Sequence, residues 1–447
     1  MSGGGVLWLG TLLLLALPGA PLLMHPAFAR IPSLARAVLA GAAGAVLVSF
    51  TMTVFALLGI PWSLPAILAV AAVLSFLLRR AALGGGVAAA PSARGGWLAS
   101  ALSAVSVSAA FLATAAGSAS SPDLIFFWGP KAQRFALSRT VDAAYLGDPS
   151  LAYMHAYYPP LVTNLYALAS MAAGRMSWTA ATLLFPLLLA ALAAALPGLL
   201  RMGVPAARAA AAAALAVGAI AVIGMEADIA GNGEMPLLLF EATGVGLLLS
   251  PLAAAAGGQL LAGLMLAGAV TAKIEGLPLA LGAIAVWLWM RRASRPWGAG
   301  LRLLGPTLLS LGAWFAFGAA RHLFLGYEGE GRFLDFHPEY AGVMFRALAR
   351  ALATTAYGLP YLVPFLCLLA AARRIDASAA IPLGGMAALV AFGVFVYLDR
   401  PSDPTPWIAW SAPRVFSPVP MLLALAAARA RAAPAPPAPE AARPSRP

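Results

Sequence analysis

The chain has 447 residues, 62% of them hydrophobic and only 10% charged, with mean hydropathy +0.88 and a formal net charge of +12. Soluble domains are about 45–50% apolar and about 25% charged, so this chain lacks the polar surface to wrap a water-soluble globule of its size. Its cations sit singly or in pairs between apolar runs, as in membrane-protein loops, and the basic patches with interleaved aromatics that nucleic-acid binders use are missing.

A bilayer crossing needs about 20 mostly apolar residues. Such runs lie at 5–24, 37–60, 62–78, 97–118, 178–200, 209–225, 234–250, 258–272, 277–290, 303–323, 357–371, 380–397 and 415–429. They predict an all-α polytopic membrane protein of about thirteen crossings. The first run leads to AFA, a sequence like a signal-peptidase site, but no Lys or Arg precedes Arg30. A secretory signal opens on positive charge, so a retained span with its N-terminus outside is expected. The stretch 258–290 reads as two half-helices meeting at Lys273–Gly276. Cys367, the single cysteine, lies within PYLVPFLCLLA and reads as packing, and no intrachain disulfide can form. The organisation is N-terminal spans (1–96), a core (97–302) with a long loop at 119–177, C-terminal spans (303–429) and a basic Ala/Pro-rich tail (430–447).

Placing Arg79–Arg80, Arg94, Arg201, Arg208, Arg291–Arg292, Arg295, Arg302 and Arg373–Arg374 inside satisfies the positive-inside bias. Nearly all acids then gather on the opposite, outer face of a plasma membrane; Asp376 and Glu440 fall inside and Glu241 within a span. Any chemistry is expected on that outer face. In the first long loop, Pro130 suits a first helical turn. Lys131, Arg134 and Ser138 would share one face of an interfacial helix, and Ala132, Phe135 and Ala136 another. A second segment, YYPPLVTNLYALASMAAG, is too short for a confident span. The other long loop, about 324–356, holds YEGEGRFLDFHPEY and the amphipathic FRALARALA.

Asp123, in SPDLIFFWGPKAQRFA, is the first carboxylate of the chain. It either stops a helix at the interface or, with the raised proton affinity of an acid at an apolar boundary, acts as a general base. In EADIAGNGEMPLLLF, Glu226, Asp228 and Glu234 flank Gly-Asn-Gly. They suit a divalent cation, sugar hydroxyls, or, for Glu234, simply the start of a helix. Lys273 and Glu275 interrupt an apolar stretch where a charge costs about 2.5–3.5 kcal/mol. They form a mutual ion pair or, through the lysine, meet a lipid-linked phosphate. Arg414 opens the last apolar run after a loop rich in Pro and Trp. It is a snorkelling anchor or a phosphate ligand suited by its planar fork, and Trp407 and Trp410 read as an aromatic belt. His25, His155, His322 and His337 show no metal-binding spacing, and no GxSxG, phosphate loop or dinucleotide fingerprint occurs.

Four segments in order, PDLIFFWGPKA, YYPPLVTNLYAL, GEMPLLLF and GAVTAKIEGLPLAL, resemble the GT-C superfamily of integral membrane glycosyltransferases. The likeness lies near the protein O-mannosyltransferase and aminoarabinose transferase branches, and the ending DPTPWIAWSAPRVFSPVP is similar to that of bacterial members. The likeness covers about 119–290 and 398–420. It implies a GT-C-like fold and a polyprenyl-phosphate sugar donor, with Asp123 as the catalytic acid of the first outer loop. It further implies Glu234 as the acid heading a later span and Lys273 and Arg414 near the donor phosphate. On that footing Lys131 would assist at the phosphate. Asp228, Glu275, Tyr158 and Trp128, with Tyr157, would contact substrate. The chain departs from the family in a first-loop motif with one acid, Asp123, where many relatives have paired acids, in Glu for the more usual Asp at 234, and in several spans before the first long loop where well-known members have one. The acceptor (lipid, glycan or protein) and any divalent cation stay open. The rival expectation is a transporter or flippase for a lipid-linked sugar. Transporters usually carry internal repeats and midplane acids; no repeat is visible here.

Overall fold

The computed structural model describes residues 3–82, 96–117, 121–154, 158–294, 297–323, 336–399 and 402–430. Among these residues every regular element is helical. Tyr157, His155, Glu328, Glu330, Asp335 and the tail with Glu440 lie outside the described residues.

Among the described residues, nine helices are long and apolar enough to cross a membrane, or ten if the bent pair Thr405–Val415 and Pro418–Ala428 counts as one. The remaining expected runs are also helical but short: Glu234–Leu249, Ala256–Ala272 and Gly276–Met290 have 16, 17 and 15 residues. Two of these are central. Nearly every residue of Glu234–Leu249 and of Ala256–Ala272 is buried, as expected of helices that are apolar on all sides. Small residues let them approach. A Cβ on Gly268 would lie 2.3 Å from the Phe240 ring, and one on Gly244 2.7 Å from Leu266. Such contacts replace the hydrophobic drive that is missing between helices in lipid.

The N-terminal run forms a broken helical span, Gly3–Leu23, packed on Ser33–Leu58. At this crossing a Cβ on Gly19 would stand 1.9 Å from the Ala40 carbonyl oxygen and one on Gly44 1.8 Å from that of Leu15. Only glycine fits there.

The first long loop is folded. A five-residue π-helical turn, Leu124–Trp128, runs into the helix Gly129–Ser138. That helix buries Ala132 and Phe135, as the sequence pattern requires, while Arg134 is exposed and pairs with Asp142 at 2.6 Å. Lys131 departs from the expected polar face and is only 3% exposed. The π turn sets the Phe127 and Trp128 rings 3.6 and 5.3 Å from its Nζ. The segment after the Pro pair forms Leu161–Ala173, too short to span and mostly buried. There Asn164 Nδ2 donates at 3.2 Å to the Ser49 carbonyl, Ser49 Oγ and Thr53 Oγ1. FRALARALA lies in Ala341–Thr354, whose Met344, Leu348 and Ala351 are buried on one face.

Candidate functional site

Four interruptions of the helical pattern meet at one end of the bundle. The first is the π turn that follows Asp123. Insertions of this kind break the regular helix and are frequent at functional sites.

The second is the loop between Ala206–Glu226 and Glu234–Leu249. It is short, buried from Ile229 onward, and turns through left-handed backbone at Asp228 (φ 51°) and Gly231 (φ 80°). Tyr166 donates its hydroxyl to the Gly231 carbonyl at 3.0 Å. Asn232 Oδ1 accepts the Glu234 amide at 3.2 Å, and Asn232 Nδ2 donates to Ser121 Oγ at 3.4 Å. The loop that delivers Glu234 is thus tied to the segment that delivers Asp123.

The third is the break at Lys273–Glu275, which the sequence foretells. Pro278 has no N–H for the Ile274 carbonyl and its ring would clash with that carbonyl in a continuous helix. Lys273 is accordingly extended, at φ −151° and ψ 145°. The fourth is the 40° bend between Thr405–Val415 and Pro418–Ala428. Arg414 lies in the last turn of the first of these helices. It therefore closes a helix instead of opening the final span, because the Pro- and Trp-rich stretch is itself helical and Pro418 and Pro420 impose the break one turn later. Ser417 Oγ donates to the Arg414 carbonyl at 2.7 Å and holds that turn.

At this meeting point the side chains form one continuous ionic chain. Arg414 Nη2 pairs with Asp123 Oδ2, and Arg414 Nε donates to Glu234 Oε1 at 2.9 Å. Lys273 Nζ donates to the same Glu234 oxygen at 3.0 Å and lies 3.2 Å from Glu275 Oε1. Tyr158 donates its hydroxyl to Glu275 Oε1 at 3.4 Å, with its ring 5.8 Å from Lys273 Nζ. Glu234 is 1% exposed, Lys273 6% and Arg414 8%, so water screens these charges little. Three carboxylates against two cations leave the group at a formal charge of −1.

Asp123, Glu234, Lys273, Arg414, Glu275 and Tyr158 are thereby brought together. Trp128 joins them sideways: its ring centroid is 5.9 Å from that of Tyr158. It also packs on Gly233, where a Cβ would meet Lys273 Cγ at 2.8 Å and Trp128 Cζ2 at 3.1 Å. Lys131 stands behind these rings rather than in the ionic chain. Burial holds its ammonium well below the ordinary lysine value.

Asp228 lies across a cleft of about 300 Å³ that reaches Arg414 and is lined by Glu226, Thr354, Thr355 and Trp410 among others. Burial raises its carboxyl against the opposing pull of Arg414. Glu226 Oε2 accepts the Ala356 amide at 2.7 Å. Glu226, Asp228 and Glu234 therefore do not share a centre, since Glu234 turns to the two cations. Among the described residues no three His, Cys, Asp or Glu side chains are grouped to hold a metal ion.

Two site residues escaped the sequence reading. Trp410 was expected in an aromatic belt, but its ring lies 4.8 Å from the Arg414 guanidinium and lines the cleft. Its spacing of four from Arg414 on one helix was the available signal. Asn232 pins the Glu234 loop, and Asn before a helix start is a capping residue. Comparison of the chain with protein-family models, with curated proteins and with solved structures gives no match.

Proposed function

We propose that this protein is a GT-C-like membrane glycosyltransferase with about thirteen crossings, the short central helices included, that moves a sugar from a polyprenyl-phosphate donor to an acceptor at the outer face of the plasma membrane. The observation that carries the reading is the convergence of Asp123, Glu234, Lys273 and Arg414. They come from four separate chain segments and form one buried ionic chain beside an open cleft. A structural ion pair alone would not require it, since buried charges are often replaceable by apolar residues without loss of stability.

In this reading Asp123 accepts the proton of the acceptor hydroxyl as that oxygen bonds to the anomeric carbon. The anomeric C–O bond breaks with its electron pair passing to the phosphate oxygen, and the anomeric centre inverts. Arg414 and Lys273 neutralise the departing polyprenyl phosphate; fixed cations act most strongly where charge develops in the transition state. Glu234 holds the two cations side by side, and Glu275 orients Lys273 and Tyr158. Tyr158 offers its ring to sugar with Trp128, 1% exposed, packed against it, and Asp228 faces the cleft where the acceptor would sit. Because Arg414 is paired with Asp123 before donor arrives, the donor phosphate must draw the guanidinium away, and doing so frees the base. The acceptor is a lipid, glycan or protein hydroxyl, and no step is assigned to a metal.

The test uses purified full-length protein in detergent, with no gradient, and a radiolabelled polyprenyl-phosphate sugar. Release of sugar to acceptor is expected. Asp123→Asn should lower it about 10²–10⁴-fold, the range for removing a general base, while the protein still folds, with a stability loss no larger than about 1.5–3 kcal/mol, the worth of a hydrogen bond to a charged group. Near-normal turnover by that variant refutes the base assignment. Donor that crosses vesicles but is never cleaved would favour a flippase.

A further inference from the structure

The cleft beside the ionic chain combines small residues with hydrogen-bond acceptors. It measures about 300 Å³, at the small end of ligand pockets, which run from about 300 to 1,000 Å³. Glu226, Asp228, Thr354, Thr355, Trp410 and Arg414 line it, and every other lining residue is alanine or proline. We propose that this cleft binds a carbohydrate, receiving its hydroxyls on a wall of acceptor oxygens, and that this sugar is the acceptor of the transfer. Its role as acceptor rests on the glycosyl-transfer reading; its binding does not.

The polar side chains of the lining are mostly acceptors. Glu226 and Asp228, when ionised, can only accept. The threonines could donate, but their hydrogens are already spent on helix carbonyls. Thr355 Oγ1 donates to the Ala351 carbonyl at 3.0 Å, and Thr354 Oγ1 has the Arg350 and Ala351 carbonyls at 3.0 Å each. Their oxygens keep lone pairs. Arg414 is engaged by Asp123 and Glu234. A ligand for this wall must therefore bring the hydrogens itself. A carboxylate or phosphate brings none and meets like charge. A sugar ring carries several hydroxyl donors on one compact body, where a serine or threonine side chain carries one.

The acceptors are fixed by backbone geometry. Asp228 sits in left-handed backbone (φ 51°) in the loop that delivers Glu234. After Thr355, Ala356 and Tyr357 take consecutive left-handed conformations (φ 43° and 56°), costly for residues other than glycine. The Ala356 amide donates to Glu226 Oε2 at 2.7 Å and ties this turn to the end of Ala206–Glu226. Trp410 supplies the other half of the match. Its ring is 51% exposed and is steadied by the Arg414 guanidinium at 4.8 Å and by Trp407, with ring centroids 5.4 Å apart. A sugar is amphipathic, with hydroxyls around its rim and C–H groups across its faces, and an indole gives those faces an apolar platform. A fatty or isoprenoid chain finds little to grip, because the lining has no Leu, Ile, Val, Met or Phe.

The test is saturation-transfer NMR on the full-length protein in a detergent without a sugar headgroup, with no donor present. Maltose, mannobiose, lactose and chitobiose are the probes, each titrated for affinity. At least one should bind, and its uronic-acid counterpart should bind about tenfold or more weakly, the direction that like charge imposes. Asp228→Gly removes the carboxylate while suiting the left-handed backbone, and a melting curve confirms that it folds. It should weaken binding about tenfold or more, the loss of one hydrogen bond to a charged acceptor. Asp228→Asn keeps an acceptor oxygen and should retain part of the affinity. Silence from every probe, equal binding of neutral and uronic forms, or unchanged affinity in Asp228→Gly overturns the proposal. Should Asp228→Gly not fold, the neutral and uronic forms compared on the parent decide alone. A serine-bearing peptide that binds in an Asp228-dependent way while no disaccharide does would give the cleft to a protein and overturn it too. Sugar binding without cleavage of a polyprenyl-phosphate sugar keeps the carbohydrate site and removes the transferase. Transfer to a peptide alone keeps the transferase and overturns the site.

Discussion

Glu234 is the residue on which the ionic chain turns, and its removal has a calculable effect. One carboxylate oxygen accepts from Lys273 at 3.0 Å and from Arg414 at 2.9 Å, and the side chain is 1% exposed. Taking away one partner of a buried ion pair costs about 3–5 kcal/mol, because the other charge is left in a poor solvent. Here neither cation is abandoned: Lys273 retains Glu275 at 3.2 Å and Arg414 retains Asp123. Glu234→Leu should therefore sit at the lower bound, about 3 kcal/mol. Glu234→Gln keeps one acceptor oxygen and should lose about 1.5–3 kcal/mol, the worth of a hydrogen bond to a charged group. Glu275→Gln, whose loss leaves Lys273 with Glu234, should lose less than either. The assay is denaturant unfolding in detergent followed by tryptophan fluorescence, extended to a double-mutant cycle with Lys273→Met. The cycle should show strong non-additivity, since deleting both partners removes the stranded charge. Glu234→Leu within about 0.5 kcal/mol of the parent, a typical surface-substitution effect, would refute the argument, as would additive losses in the cycle.

Three further substitutions probe the surroundings. Gly233→Ala places a methyl 2.8 Å from Lys273 Cγ and should destabilise by about 1–3 kcal/mol, as overpacking does, with a matching loss of any transfer activity; unchanged unfolding would show that the lysine stem yields freely. Burial of Lys131 depresses its protonation, so the unfolded chain binds more protons between its folded value and the ordinary lysine value. Stability should then rise with pH through that window, and Lys131→Met should flatten the rise, which melting curves from neutral to alkaline pH will show. Glu241 is fully buried, with neither carboxylate oxygen hydrogen-bonded. Glu241→Gln should be neutral and Glu241→Leu neutral or stabilising by about 1–2 kcal/mol. A large loss in either variant would reveal a partner for that carboxyl.

The helices were legible because a bilayer imposes a coarse rule, long apolar runs, and the runs fall where helices form. The break at Lys273 was legible too, because a Lys, a Glu, a Gly and a Pro within six residues cannot continue an apolar helix. Pairing was not legible. Glu234 meets Lys273 across 39 residues and Arg414 across 180, and nothing local says which of several acids on that face each cation will choose. Lys131 shows a subtler failure. Helical periodicity put it with Arg134 and Ser138, but periodicity is blind to the π turn just before it, which covers its ammonium with two rings. Arg414 misled for a related reason, since prolines that read as a loop instead occupy helix starts at Pro406 and Pro418.

The location of the ionic chain follows from the backbone as much as from the side chains. Within an apolar bundle an unbroken helix satisfies its own amides and carbonyls and offers nothing polar to a ligand. Interruptions release those groups, and each must find a partner or water. Here the π turn after Asp123, the Gly231–Gly233 loop, the Lys273–Glu275 break and the Phe416–Ser417 bend all fall at one end of the bundle, and each interruption carries or adjoins at least one charged side chain of the ionic chain. A purely structural polar cluster would need one break with its partner, whereas here four breaks bring together charges carried on four separate segments. Binding of an anion that draws Arg414 from Asp123 would therefore shift the Thr405–Val415 helix against the π turn. A distance measured between spin labels on those two segments should change when a polyprenyl phosphate is added and stay fixed when the uncharged polyprenol is added. Equal responses to both would mean that the lipid tail, not the phosphate, is what this end of the bundle senses.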